Sequence, residues 1–301
     1  NYFIQNRYGV DDNEITIMDQ EFDIQGNGHQ VDADEMESLE DFIIANVMTL
    51  QENYAYVLEK IDVDNYIDYM CSEIFLSNVD WVYSNVVIWR KTGPFNPSKE
   101  KPHDGKFRWV FYDFDGAFGG DCSQAYYTVN TLNAATIASG TFASYTRFFR
   151  GLLENHTFRK KFVNRMCDLL NSQYRKNRVL QKVNEIYTKL TPGMQENVER
   201  WRYPSTATTL YTRQFETPSL TPWNLNFYYL NIFADRRQRK VRDHMMVKWG
   251  YPDSSLVTVD VNDELMGMVQ VNTLLINEHL AGVGAVTYPW SGYYMNTVEL
   301  P

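Results

Sequence analysis

At 301 residues the chain can bury a substantial core, either as one large domain or as two unequal ones. Its 44% apolar and 22% charged residues describe an ordinary globular protein, rich in aromatics with Tyr 21, Phe 17 and Trp 7. Lys+Arg 28 against Asp+Glu 38 gives a formal charge of -10, which repels phosphate backbones and anionic lipid and weighs against nucleic acid as a partner.

Residues 1–35, rich in Asp, Asn and Gly and including QGNGHQVDAD, read as irregular surface structure. A first helix is expected after Ser38 as N-cap, with Leu39, Phe42, Ile43, Val47 and Leu50 at helical spacing. A second is expected from about Asp64 to Leu76, burying Ile67, Met70, Cys71 and Ile74. After the loop SNVDWVYSN come two β-rich runs, VVIWR at 86–90 and KFRWVFY at 106–112, separated by a Pro- and Gly-bearing stretch. They predict a hairpin with a long tip, 91–105. Loops of that length are usually functional or disordered, so the tip is expected to border an acceptor cleft.

From 144 to 250 the pattern is helical, ending at Gly250 and Pro252. Within it, Arg236, Arg237, Arg239, Lys240 and Arg242 read as a solvated or ion-paired helix face. The strand-like SLVTVDV, GMVQVNTLLI and NTVEL place a small, incomplete β-module from near Ser254. No stretch of 18 apolar residues predicts a transmembrane segment, and no signal peptide opens the chain, which starts at Asn1 and reads as a fragment or processed product. Cys71, Cys122 and Cys167 are widely spaced and the five histidines lack ligand spacing, so neither a zinc site nor a disulfide scaffold is expected.

The stretch WVFYDFDGAFGG, 109–120, ends an apolar run in two aspartates, Asp113 and Asp115. A phosphatase of the haloacid dehalogenase type would use Asp113 as nucleophile and Asp115 as acid/base. Against it, Ala117 stands where that family has a hydroxyl residue, and 144–250 lacks the alternating strands and helices its fold requires. A glycosyltransferase Asp-x-Asp meets the same objection. Upstream, Asp80 is followed by Asn85 at the spacing of a protein-kinase catalytic loop, where the Asp orients or deprotonates the acceptor hydroxyl and the Asn helps hold magnesium. The order helix, Asp-x4-Asn loop, hairpin, Asp-Phe and helical remainder matches a kinase C-lobe. There Asp113 would bind magnesium, a hard cation held through one or two carboxylates plus phosphates and water. Asp115 can face the same side if the backbone stays extended, to bind a second metal or hold a water. The plain alternatives are Asx turns at Asp80 and Asn85 and a structural turn at Asp113–Asp115, although two carboxylates so close repel unless something positive binds between them.

The run IDVDNYIDYMCSEIFLSNVDWVYSNVVIWR, then GKFRWVFYDFDGAFGG, LLENHTFRKKFVNRMCDLLNS and FADRRQRKVRDHM, resembles the CotH kinase family, the spore coat protein H-like atypical kinases. The resemblance covers roughly residues 35–250. It implies an α+β, mainly helical fold: a kinase-like C-lobe with an active-site β-hairpin over 1–253, led in by 1–35; the truncated β-module at 254–301, read from its strand-like runs, follows outside the resemblance. The resemblance implies transfer of phosphate from ATP, with Mg or Mn, to Ser/Thr hydroxyls of a protein substrate. Asp80 would be the catalytic residue, with Asn85 and Asp113 as metal and nucleotide ligands. The 79 residues before Asp80 show no glycine-rich strand pair and no evident nucleotide-binding lysine. The chain therefore reads as a C-lobe without an evident N-lobe, expected alone to bind magnesium-nucleotide poorly and to phosphorylate little. The tail is similar to bacterial surface-protein β-repeats, which implies a cell-envelope or extracellular protein. The alternative is a non-catalytic surface, adhesion or scaffold protein that keeps the fold.

Overall fold

A computed structural model describes residues 2–118, 126–201, 220–282 and 287–300; Cys122 and the glycine pair ending the Asp-x-Asp stretch lie outside them. The fold is mainly helical α+β, as the resemblance implies. Contacts divide it into two compact units, one of residues 1–73, 80–114 and 132–163, the other of 74–79, 115–131 and 164–301.

The first unit opens with α1 (Tyr2–Tyr8) and β1 (Ile15–Met18), so the lead-in is not irregular. All of β1 is buried, and it pairs antiparallel with β2 (Val87–Lys91), from Ile15↔Lys91 to Met18↔Ile88. Helix α2 (Gln30–Ala45) also starts earlier than expected, after His29, which leaves Ser38 mid-helix rather than at its N-cap. The reason is Asp32, a core residue: its carboxylate meets Arg90 Nε at 3.0 Å and accepts from the Thr16 and Thr92 hydroxyls at 2.6 and 2.7 Å. Val47 and Leu50 lie beyond the helix end and are exposed, and a separate α3 (Gln51–Lys60) follows. Helix α4 (Val63–Leu76) buries Ile67, Met70, Cys71 and Ile74 as its spacing predicts.

Strand β3 (Arg108–Val110) completes the sheet in the order β1-β2-β3. Its outer edge is covered by Asn65 of α4, whose amide both donates to the Trp109 carbonyl and accepts from the Trp109 N–H. An uncovered edge would offer unpaired backbone groups to another chain. The short α5 (Thr131–Ala134) leads to α6 (Arg147–Glu154) and α7 (His156–Asn171). Aromatic rings of α4, β3, α6 and α7 form one packed group, with Tyr66 against Trp109 at 4.3 Å and Phe149 against Phe162 at 5.2 Å. Gly151 lets α6 approach α2, because a Cβ there would run into the Ile43 side chain.

The second unit contains α8 (Lys176–Trp201), α9 (Leu220–Trp249) and, among the described residues, four strands. β4 (Ser254–Val259) pairs antiparallel with β7 (Trp290–Met295), and β5 (Val269–Val271) with β6 (Leu274–Ile276). Asp168, on α7, ties these strands to the helices: its buried carboxylate accepts from Thr273 N–H at 3.1 Å and Tyr294 hydroxyl at 2.6 Å, and also from Asn272 and the Thr273 hydroxyl. Among the described residues no helix is long and apolar enough to cross a membrane.

Candidate active site

The β2–β3 register starts at Val87↔Val110 and continues towards the tip through Trp89↔Arg108. Asn85 precedes β2 by two residues and Asp113 follows β3 by three, so antiparallel pairing brings both to the open end of the hairpin. Asp80 is on the loop that enters that end. Asp80 and Asn85 are half-buried, while Asp113 is exposed.

Both Asn85 (φ 59) and Asp113 (φ 52) adopt the left-handed backbone region. For residues with a side chain this costs on the order of 1 kcal/mol or more and is found where local geometry serves a purpose. It also corrects the expectation of an extended run into Asp115. β3 stops at Val110, and the chain turns at Asp113. Asp115 is exposed and belongs to the second unit.

In that unit the residues flanking the motif are tied together by backbone bonds. Val79 N–H donates to Gly116 carbonyl at 3.2 Å and Phe118 N–H to Leu76 carbonyl at 2.8 Å. Val79 immediately precedes Asp80 and Gly116 immediately follows Asp115.

The long tip is elsewhere. β2 spans four residue steps, so the tip emerges roughly 13 Å from Val87, at the end of the hairpin opposite Asn85. It is folded back by Arg108, which donates to Asp104 at 2.9 Å, to Asp62 at 3.2 Å and to the Pro102 carbonyl at 3.2 Å. The expectation that it borders the acceptor cleft is overturned by this geometry.

What lies beside the catalytic-type loop instead is a cavity of about 460 Å³ within the first unit, lined by Trp81, Val82 and Val86 of that loop and by Tyr66, Tyr69 and Trp109. Its rim carries Glu21, Glu37, Glu40 and Asp41 with Arg147. Burial raises the Glu40 carboxyl above its usual range, against the pull of Arg147 at 2.7 Å. Such a rim disfavours a polyphosphate and suits a neutral or cationic guest.

Among the described residues no group of three or more His, Cys, Asp or Glu forms a ready metal cage. Magnesium does not require one, since it keeps waters and takes phosphate oxygens beside one or two carboxylates. Two carboxylates and an amide, Asp80, Asp113 and Asn85, are hard oxygen donors of the kind that fits it.

Sequence reading missed Arg237. It is fully buried, not solvated, and among the described residues no carboxylate pairs with it. Its Nε donates to Phe75 carbonyl at 2.9 Å, Nη1 to the Tyr127 and Val129 carbonyls at 2.9 and 2.6 Å, and Nη2 to Ile74 carbonyl at 2.6 Å and Thr131 Oγ1 at 3.2 Å. Every donor of the guanidinium fork is used. Ile74 and Phe75 belong to the last turn of α4, whose carbonyls have no partner further along the helix. A cation there also meets the negative end of the helix dipole. Ser77, in the left-handed region (φ 56), turns the chain out of α4 and towards Asp80, and its hydroxyl shares a 2.9 Å bond with that of Thr131. The signal was present as a basic cluster, but a buried arginine and a solvated one are spelled alike.

No curated protein and no solved structure matches the chain. A family model described as CotH kinase protein matches residues 7–241. That span includes Asp80, Asn85, Asp113, Asp115 and Arg237, and it begins ahead of β1, well before the resemblance read from the motifs. The chain is a member of the CotH kinase family.

Proposed function

We propose that the protein supports transfer of the γ-phosphoryl group of ATP, with Mg or Mn, to a Ser/Thr hydroxyl of a protein substrate. The observation that carries this reading is the hairpin end, where Asn85 and Asp113 are held in left-handed backbone next to the loop bearing Asp80. The acceptor oxygen forms a bond to the γ-phosphorus as the bond from that phosphorus to the β–γ bridging oxygen breaks. ADP leaves and the hydroxyl proton passes to the Asp80 carboxylate. Asn85 and Asp113 are the residues to hold the metal. When bound, the metal supplies charge neutralisation to the phosphates. The acid-rimmed cavity beside Trp81 is where we place the acceptor segment. In keeping with its family resemblance we place the protein in the bacterial cell envelope or outside the cell.

The test is phosphotransfer from labelled ATP to a Ser/Thr-bearing acceptor protein, run on the chain with any sequence that naturally flanks it. Asp80→Asn is expected to lower kcat by about 10²–10⁴ with little change in KM, as loss of general-base help does. Asp113→Ala is expected to abolish the metal dependence of nucleotide binding in calorimetry. Nucleotide binding and turnover indifferent to both substitutions would return the protein to the class of non-catalytic scaffolds.

A further inference from the structure

We infer that the second unit carries a separate basic site for a phosphate-type oxyanion, where α7 ends, α8 begins, and α9 and β7 flank them. A cavity of about 230 Å³ there is lined by Arg175, Lys176, Gln238, Arg242, Asn171 and Gly292, among others, and none of its lining residues is acidic.

Arg242 is the centre of the argument. It is only 8% exposed, its Nη2 donates to Asn171 Oδ1 at 2.8 Å, and its guanidinium lies over the Tyr293 ring at 5.5 Å. All of these partners are neutral, and among the described residues its Nε–H has none. A buried cation with an unused donor carries a desolvation cost that an anion would offset. Arg175 adds a second positive charge close enough to push the Arg242 pKa down, in addition to the larger effect of burial. Two guanidiniums brought together on a cavity wall without a carboxylate are arranged for a ligand that carries the negative charge itself.

The backbone adds to the same field. Val179 N–H donates to the Arg175 carbonyl at 3.0 Å, which makes Arg175 the N-cap residue of the long helix α8. An arginine side chain has no acceptor with which to cap, so the first N–H groups of α8 and the positive end of its dipole are available to an anion. Lys176 contributes less, because its ammonium is ion-paired with Asp235. Asn171 fixes the frame: Oδ1 also accepts from the Tyr293 N–H at 3.0 Å and Nδ2 donates to the Tyr293 carbonyl at 2.9 Å. Gly292 permits that approach, since a Cβ would collide with the Asn171 amide.

Guanidinium forks and helix N-termini both match tetrahedral oxygens, and the cavity has ample room for a phosphate group. The ligand is free phosphate or a phosphoryl group on a protein hydroxyl, the latter being the chemistry of the proposed reaction's product. The site shares no residue with Asp80, Asn85 and Asp113, so it stands or falls apart from the kinase reading.

The experiment is a calorimetric titration of the chain with inorganic phosphate, and with a phosphoserine peptide against the same peptide bearing serine. Saturable phosphate binding is expected, weakened by at least about tenfold in Arg175→Glu, whose half-exposed position spares the fold. Arg242→Lys, which keeps the charge and loses the fork, is expected to weaken it several-fold, and Asp113→Ala to leave it unchanged. Preference for the phosphopeptide identifies a phosphoprotein ligand, and binding of inorganic phosphate alone identifies the free ion. Absence of saturable binding of either probe, or equal affinity in Arg175→Glu, overturns the inference.

Discussion

Replacing Arg237 by methionine keeps an unbranched side chain of similar reach in α9 and removes every donor. Five hydrogen bonds are lost, to the Ile74, Phe75, Tyr127 and Val129 carbonyls and the Thr131 hydroxyl. At the low end for charged donors, about 1.5 kcal/mol each, these amount to roughly 7 kcal/mol. The substitution also relieves the cost of burying a cation, several kcal/mol after relaxation. Taking about 3 kcal/mol for that relief leaves a net loss of about 4 kcal/mol. Arg237→Lys retains the charge but offers three donors without fork geometry, so at least two acceptors lose their partner and a loss of about 2–3 kcal/mol is expected. Urea unfolding of the wild type and both variants, followed by tryptophan fluorescence, gives the three midpoints and slopes. The expected order is wild type, lysine, methionine. A methionine variant within about 1 kcal/mol of wild type, or a lysine variant as stable as wild type, would show that the carbonyls do not depend on the fork.

Two further outcomes follow from titratable groups of the second unit. His244 has its pKa lowered to about 4 by burial and then by the positive charge of Arg237. The unfolded chain takes up that proton near pH 6.5, so it binds more protons than the folded state between about 6.5 and about 4. Stability should therefore fall as pH drops through that window, by on the order of 1 kcal/mol once solvent screening of a half-exposed ring is allowed for. His244→Gln should flatten that part of the pH profile of the urea midpoint; an unchanged slope assigns it to other groups. Asp168→Ala leaves the Tyr294, Thr273 and Asn272 donors without their acceptor and should cost about 3–5 kcal/mol. Amide hydrogen exchange should report it as lost protection in β5, β6 and β7 with α8 spared, and undiminished protection in those strands would refute Asp168 as their anchor.

What could be read from the amino acids alone divides by where a residue finds its partners. In α4 the core face repeats within a few positions, so Ile67, Met70, Cys71 and Ile74 declare themselves by spacing. β1 is four residues long and owes its place to β2, more than 60 positions away, so ITIM between polar flanks carried no local signal. Asp32 looked like surface because its counter-charge, Arg90, lies on a different element. The position of the tip follows from the hairpin itself, whose two ends are separated by the length of its strands.

The candidate site follows the same division, with a functional consequence. Asp80, Asn85 and Asp113 are visible because phosphoryl chemistry calls for carboxylate and amide oxygens, and only a few residue types supply them. The groups that hold the end of α4 and the stretch after it in place within the second unit are carbonyls of Ile74, Phe75, Tyr127 and Val129. Any residue offers a carbonyl, so no motif records them, and the one distinctive member of the set is the arginine that gathers them. A substitution at any of those four positions can leave the carbonyl, and with it the loop geometry, intact. The constraint falls on Arg237 and on the Thr131 hydroxyl it shares with Ser77, which predicts that within the second unit tolerance to substitution over 74–79 and 126–131 is governed by distance from that guanidinium and not by closeness in sequence to Asp80.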